Sequence, residues 1–227
     1  MPARDPKFLL TLFETLLHAF GPQGWWPAET PFEVIVGAIL TQNTSWNNVT
    51  QAIERLKKRD LLELPRILEA DPETLRECVK PSGFYNQKTR YLLAFCRHVH
   101  LHHHGHLEAF LGQDVPLLRR ELLSIPGIGP ETADSIILYA AQKPSFVVDA
   151  YTKRILSRHG WVPPTIGYEA LRQVFMDALP PDVYLFQEFH ALLVRVGHLF
   201  CRRTPRCDGC PVDVVPEKKQ FEARSPL

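Results

Sequence analysis

Apolar residues at helical spacing recur in nearly every segment of this chain, and that periodicity is its strongest constraint. The segments "FLLTLFETLLHAF", "PFEVIVGAIL", "VTQAIERLKK", "TRYLLAFCRHV", "TADSIILYAAQ", "YTKRILSRHG" and "FQEFHALLVRVGHLF" all carry it, whereas strict apolar/polar alternation is hard to find. The 20 prolines fall mostly between these segments, as in "LPPDVY" and "WVPPTIG", where they stop one helix or start the next. The pattern predicts an all-α protein of about ten short helices, a mean helix being about 11 to 12 residues long.

With 227 residues, 45% of them hydrophobic, the chain can bury a sizeable core in one domain or two modest lobes. Its 26 Lys+Arg against 25 Asp+Glu leave a formal net charge of +1, which excludes the strongly basic footprint of a bulk nucleic-acid binder. Any DNA contact must therefore come from local geometry. The N-terminal segment is amphipathic, contains Glu14 and lacks a small-residue cleavage site, which argues against a signal peptide. No run approaches the ~18 apolar residues of a membrane helix. Five cysteines, three of them near the C-terminus, fit a metal-site pattern or its remnant better than a secreted disulfide framework. The expectation is a soluble, cytosolic protein.

The stretch "SIPGIGPETADSIILYAAQKPSFVVDAYTKRIL" concentrates the chemistry. Gly127 and Gly129 can take positive φ and bring backbone close to a partner, and the helix that follows starts with free N–H groups pointing outwards. Such an end suits a phosphate. With "LLRRELLS" before it, this region reads as helix, glycine hairpin, helix. Asp149 then leaves the apolar "FVV" at the start of the helix "AYTKRIL". A helix N-cap is a frequent task for Asp, and it is compatible with catalysis, because a cap fixes the carboxylate's orientation at the positive dipole end. Fixed negative charge is what an electron-poor, oxocarbenium-like sugar requires.

The order of hairpin, "VVD" and helix resembles the helix-hairpin-helix DNA glycosylases of the endonuclease III superfamily. "FEVIVGAILTQNT" and "PSGFYNQKTRYL" look like that superfamily's early helix and wedge loop, so the resemblance covers nearly the whole chain. Within it, "GWWP", "LTQNTSW", "CVKPSGFYNQK" and "GIGPETAD" most resemble the bacterial 3-methyladenine DNA glycosylase III group. The resemblance implies a two-lobed all-α fold with a central cleft: a six-helix barrel over roughly residues 25–134, and a second lobe joining 1–24 to 135–227. It also implies an enzyme of the bacterial cytoplasm, at the nucleoid when on DNA, acting on double-stranded DNA that carries an alkylated base; a monomer is the default expectation for a chain with no evident oligomerisation stripe. Main-chain amides of Gly127, Ile128 and Gly129, with Thr132 beside them, would grip the backbone while the damaged nucleotide is turned out of the stack. Gln42 and Phe84 match the positions that fill or wedge the gap in the duplex, although Phe84 also suits a core anchor.

Bifunctional members of this superfamily carry a lysine where Glu131 stands, and its amine attacks the sugar to form a Schiff base. A glutamate cannot do so, and neither Lys143 nor Lys153 occupies the motif position. The resemblance therefore implies a monofunctional glycosylase in which Asp149 stabilises the sugar cation and orients or deprotonates water. An N3- or N7-alkylated purine is a cationic, good leaving group, so selecting the base matters more than acid catalysis. Trp25, Trp26 and Trp46 match the subgroup's base pocket, where stacking and cation–π attraction are worth on the order of 1 to 3 kcal/mol per face. Indoles that simply build the core are the alternative. Other readings of the whole chain are excision of mismatched or oxidised bases, or DNA binding without catalysis.

"CRRTPRCDGCPVDVVP" looks like the superfamily's iron–sulfur loop, with Cys201, Cys207 and Cys210 present. The first spacing is five residues rather than six, and the fourth ligand position holds Pro216. Such a cluster needs four thiolates. The favoured expectation is a degenerate loop at 201–216 without cofactor, keeping Arg202, Arg203 and Arg206 for phosphates, with a zinc site completed by His198 as the alternative. In "HVHLHHHGH", His98, His102 and His106 would share a helical face. Lacking an accompanying acid or cysteine, the run reads as a solvated helix end near Gly105 rather than as a metal site.

Overall fold

The computed structural model of the chain describes residues 2–215. It divides into two compact units, Met1–Trp25 with Pro144–Leu227, and Trp26–Lys143. The described residues are helical with no strand, as the periodicity predicts. In chain order the α-helices are α1 (Pro6–Phe20), α2 (Pro31–Leu40), α3 (Trp46–Lys58), α4 (Leu64–Glu69), α5 (Pro72–Val79), α6 (Tyr85–His103), α7 (Leu107–Gly112), α8 (Val115–Ser124), α9 (Pro130–Ser135), α10 (Ala150–Arg158), α11 (Tyr168–Ala178) and α12 (Val183–Leu199). No helix among the described residues is long and apolar enough to cross a membrane.

Local chemistry explains where these helices begin. Pro6, Pro31, Pro72 and Pro130 occupy the first helical turn, where a missing N–H costs nothing. Asp5, Thr30, Asp71, Asp149 and Asp182 each accept a hydrogen bond from a first-turn amide. Thr30 heads a capping arrangement: its hydroxyl accepts from the Glu33 amide at 3.1 Å, and the Glu33 carboxylate accepts from the Glu29 amide at 3.0 Å.

In the unit Trp26–Lys143, α2 is buried along nine of its ten residues and forms the central post, as an all-round apolar helix must. It packs against α3, α6, α9 and a π-helical turn at Ile136–Ala140, all five of whose residues are buried. Because α9 runs directly into that turn, the unit extends to Lys143 rather than closing at residue 134, and it holds eight α-helices rather than the expected six. Trp25, assigned to this lobe from sequence, falls in the other unit.

In the unit formed by Met1–Trp25 and Pro144–Leu227, α1 packs on α12 and α11, and α10 packs on α12. An aromatic cluster fills its core. The Phe146 ring stacks on Phe175 at 3.9 Å and meets Phe186 and Phe189 edge-on at 5.4 and 5.9 Å, while Trp161 is buried against Phe8. Such pairs add to burial by on the order of 1 kcal/mol each.

The two helices flanking the glycine hairpin are joined by a bidentate pair. Arg119 on α8 donates from Nε and Nη2 to Asp134 on α9 at 2.9 and 3.0 Å, and Asp134 is fully buried. Withdrawing one partner of a buried pair costs about 3–5 kcal/mol, because the remaining charge loses its counter-ion. Arg119→Ala is expected to lower the urea-unfolding free energy by that amount; a loss below about 1 kcal/mol, typical of exposed pairs, would show that the clamp does not hold the hairpin.

Candidate functional site

The hairpin is a tight turn set against a tyrosine. Gly127 has φ +89°, and a Cβ built on it would lie 2.1 Å from the Tyr91 ring, so both backbone and space require glycine there. Gly129, by contrast, is extended at φ −90° and serves as the N-cap position of α9, so positive φ is used once in the hairpin. The Ile128 amide donates to the Ile125 carbonyl at 3.1 Å and its side chain is buried. Ile128 therefore shapes the turn from within, its amide turned back on the Ile125 carbonyl.

Gln42 is joined to this turn. Its Nε2 donates to the Gly127 carbonyl at 2.9 Å and to the Thr132 hydroxyl at 3.1 Å. The structure thus brings Gln42, Gly127 and Thr132 together. Thr132 is buried, its hydroxyl accepting from Gln42, so it supports the hairpin from beneath rather than presenting a surface. Glu131, one residue earlier, is exposed.

Phe84 begins α6 in a left-handed conformation, φ 44° and ψ 34°, and is 66% exposed. A non-glycine residue in this region carries about 1–3 kcal/mol of strain, kept only where the surroundings enforce it. The enforcement comes from Lys88, which pattern reading passed over because it looks like an ordinary helix lysine. Lys88 is 2% exposed, and its ammonium donates to the Leu40 carbonyl at 2.8 Å and the Ser82 carbonyl at 2.6 Å. One cation thereby ties the C-terminal end of α2, two residues before Gln42, to the loop that presents Phe84. Burial pulls the Lys88 pKa from 10.5 down to about 8.

Trp26 and Trp46 make an edge-on pair at 5.2 Å, and Tyr139 of the π-helical turn lies 5.2 Å from Trp26. A Cβ at Gly37 would sit 3.2 Å from the Trp26 ring, so this α2 glycine seats the indole. Both tryptophans are half-buried, as is Trp25, whereas Trp161 is the indole that builds core. Trp25 follows two amides, of Gln23 and Gly24, that donate at 2.7 and 2.8 Å to the two oxygens of buried Glu188 on α12. Glu188 is a second residue without a sequence signal, since it sits inside an apolar helix face.

Asp149 stands where the sequence placed it. Its Oδ1 accepts from the Thr152 amide at 2.7 Å as the cap of α10, and Oδ2 lies 4.0 Å from Nε2 of His190 on α12. Phe146, Val147 and Val148 are buried at 0, 1 and 4% exposure, so the segment delivering the carboxylate is fixed. Burial pushes the His190 pKa down, against the opposing pull of Asp149. One carboxylate oxygen is thus committed to the helix and the other faces a buried imidazole.

The cysteine loop is held by arginines of α10. Arg154 donates to the Cys201 carbonyl at 2.7 Å, and Arg158 to the Arg202 and Arg203 carbonyls at 2.5 and 2.9 Å and to Cys201 Sγ at 3.4 Å. Cys201 and Cys210 are buried and Cys207 is exposed. Cys78 and Cys96 lie in helices of the other unit; Cys78 bonds with Arg55 and Arg59, and burial pushes the Cys96 thiol up. The described loop supplies three of the four thiolates that an iron–sulfur cluster needs, and Pro216 lies outside the described residues. His198 is exposed, its ring 4.9 Å from that of Tyr151, and among the described residues no set of three ligand atoms including it converges.

A capped carboxylate behind an apolar run, together with a glycine hairpin braced by two helices, defines a class: the helix-hairpin-helix DNA glycosylases of the endonuclease III superfamily. Residues 36–181 match the HhH-GPD superfamily of base excision DNA repair proteins, and the chain belongs to that family. A Methanocaldococcus jannaschii protein, named provisionally as a DNA repair glycosylase, is 47% identical over 213 residues, spanning 92% of this chain and 96% of its own. Endonuclease III of Thermotoga maritima is 31% identical over 79% of each chain. Among solved structures, H. pylori 3-methyladenine DNA glycosylase bound to 1,N6-ethenoadenine gives a TM-score of 0.73 at 29% identity, covering 85% of this chain and 96% of that one. An endonuclease III–DNA complex gives 0.78 at 20% identity over 92% and 94%, a likeness of fold.

The Lys88 staple has a pH signature. Between about 8 and the ordinary 10.5 the unfolded chain keeps a proton that the folded chain releases, so stability rises with pH across that window. Lys88→Met is expected to remove this rise, measured as the difference in urea-unfolding free energy between wild type and variant near neutral pH and at about pH 10. Parallel pH curves for the two proteins would refute it.

Proposed function

We propose that this protein is a monofunctional DNA glycosylase that releases alkylated purines, 3-methyladenine among them, by hydrolysing the N-glycosidic bond. The observation that carries the reading is the combination of a fixed carboxylate at Asp149 with an exposed acid, Glu131, at the hairpin position where a Schiff-base lysine would stand. The likeness to a 3-methyladenine DNA glycosylase at 29% identity supports the choice of substrate.

In this reading the amides of Gly127 and Gly129 take backbone phosphate, Gln42 and the exposed Phe84 fill the space left in the duplex, and Ile128 and Thr132 hold the hairpin in shape. Trp25, Trp26 and Trp46 provide aromatic faces for a cationic purine, attracted by their π-faces as well as by stacking. Asp149, through Oδ2, stabilises positive charge as the bond from sugar to base lengthens. The leaving base takes the bonding electron pair and departs neutral. A water molecule adds to the anomeric carbon and gives up its proton to Asp149 or solvent, leaving an abasic site and an intact strand. Two of the chain's lysines are engaged elsewhere: Lys143 donates to the Gln113 carbonyl, and Lys88 is buried on two carbonyls.

Wild type should release 3-methyladenine from methylated DNA, while Asp149→Asn loses at least about 100-fold in rate, the lower range for a positioned acid–base group, and still binds DNA. Borohydride treatment of the reaction should trap no covalent adduct. Release at the wild-type rate by Asp149→Asn would remove the catalytic assignment, and a trapped adduct would remove the monofunctional one.

A further inference from the structure

The histidine run at the end of α6 acquires in the fold what it lacks in sequence. Glu121, on α8, places one carboxylate oxygen, Oε1, 2.7 Å from His98 Nε2 and 2.6 Å from His103 Nε2. The three ligand atoms all lie within 4.8 Å of one another, the one such group of His, Cys, Asp and Glu among the described residues. The helix selects His98 and His103 instead of the evenly spaced His98, His102 and His106: His102 only flanks the His98 ring at 4.5 Å, and His106 precedes α7.

We infer that His98, His103 and Glu121 form a binding site for a divalent transition-metal ion, with zinc the best match. Two imidazole nitrogens and one carboxylate oxygen are a borderline donor set that suits Zn²⁺ and leaves a fourth position for water. The side chains are 17–18% exposed, which allows entry from solvent while shedding most bulk water. The surroundings orient the ligands. Gln113 Nε2 donates to the other Glu121 oxygen, Oε2, at 2.7 Å and to the Phe110 carbonyl at 3.1 Å, so Oε1 is the oxygen turned toward the imidazoles. The Phe110 ring stands edge-on beside both, 5.1 Å from His103 and 6.2 Å from His98. An ion here displaces the two short His–Glu hydrogen bonds and takes both Nε2 lone pairs, each ring keeping its proton on Nδ1.

The placement gives the ion a task. It bridges the last turn of α6, the helix begun by Phe84, to α8, the helix that leads into the Gly127 hairpin. Binding to the folded state alone stabilises that junction by mass action.

The full chain, stripped of metal with a chelator and dialysed, is titrated with ZnCl₂ by calorimetry and with CoCl₂ by absorbance. The expected result is one ion per chain, weakened more than about tenfold in His103→Ala and in Glu121→Gln and unchanged in Cys207→Ser. The cobalt spectrum should show d–d bands without sulfur-to-cobalt charge transfer, a readout that needs no variant. Circular dichroism checks that the variants fold. No binding by wild type, equal binding in His98→Ala/His103→Ala, or a cobalt–thiolate band that disappears in Cys207→Ser would each overturn the site.

Discussion

A guanidinium bonded through two nitrogens to a fully buried carboxylate is the interaction on which the hairpin depends. Between Ser124 and Pro130 the turn itself offers little: one amide, of Ile128, returns to the Ile125 carbonyl, and two glycines leave much backbone entropy to be lost. Closure must come from the flanking helices, and Arg119–Asp134 joins them in a fixed-fork geometry that a lysine could not reproduce. With α8 and α9 set, Gly127 fits against Tyr91, and Gln42 senses both ends of the turn through the Gly127 carbonyl and Thr132 hydroxyl. Lys88 carries the same order to the loop before α6, so Gln42 and Phe84 share a buried support.

On the proposed reading, the Asp149 carboxylate illustrates how a capping residue becomes available for chemistry. Asp5, Asp71 and Asp182 bind their first-turn amides in the same way, but all three side in exposed surroundings, where a cap is only a cap. Asp149 differs in what precedes it and what faces it. Phe146 is stacked within an aromatic cluster, so the carboxylate arrives on backbone that has already lost its freedom, and its second oxygen meets a buried imidazole instead of bulk water. Orientation fixed by folding need not be fixed again when a substrate binds.

The helical class, the proline-started helices and the cap at Asp149 were all legible in the sequence, because each rests on local chemistry: apolar period, a fixed φ, a side chain reaching its own backbone. The single positive φ at Gly127 was not separable from Gly129, since Tyr91 decides it from another helix. The unit boundary at Lys143 depends on the π-helical turn being buried against α2, a contact without local signature. Lys88, Glu188 and His190 escaped for a shared reason. A charged or polar residue inside an apolar helix face looks like noise until its partners, here carbonyls, distant amides and a carboxylate, are brought to it. Glu121 is the same case, lying 23 and 18 residues beyond His98 and His103, which it joins.

The allocation of cations then bears on the choice of chemistry. Lys88 and Lys143 both give their amines to backbone carbonyls, and the hairpin position carries Glu131 instead of a third. On the proposed reading, without a Schiff-base lysine at the hairpin position, the enzyme is confined to bonds that water can break once charge is stabilised, and a cationic alkylpurine is such a leaving group. The demand on the protein moves from activating the bond to holding the right base, and holding falls to aromatic faces. Gly37 belongs to that arrangement: a Cβ there would press on the Trp26 ring at 3.2 Å, so the smallest residue on a helix buried along nine of its ten residues lets an indole lie close against α2 with Trp46 at its edge. On the proposed reading, selectivity is therefore set in the helical core as much as at the surface that meets DNA.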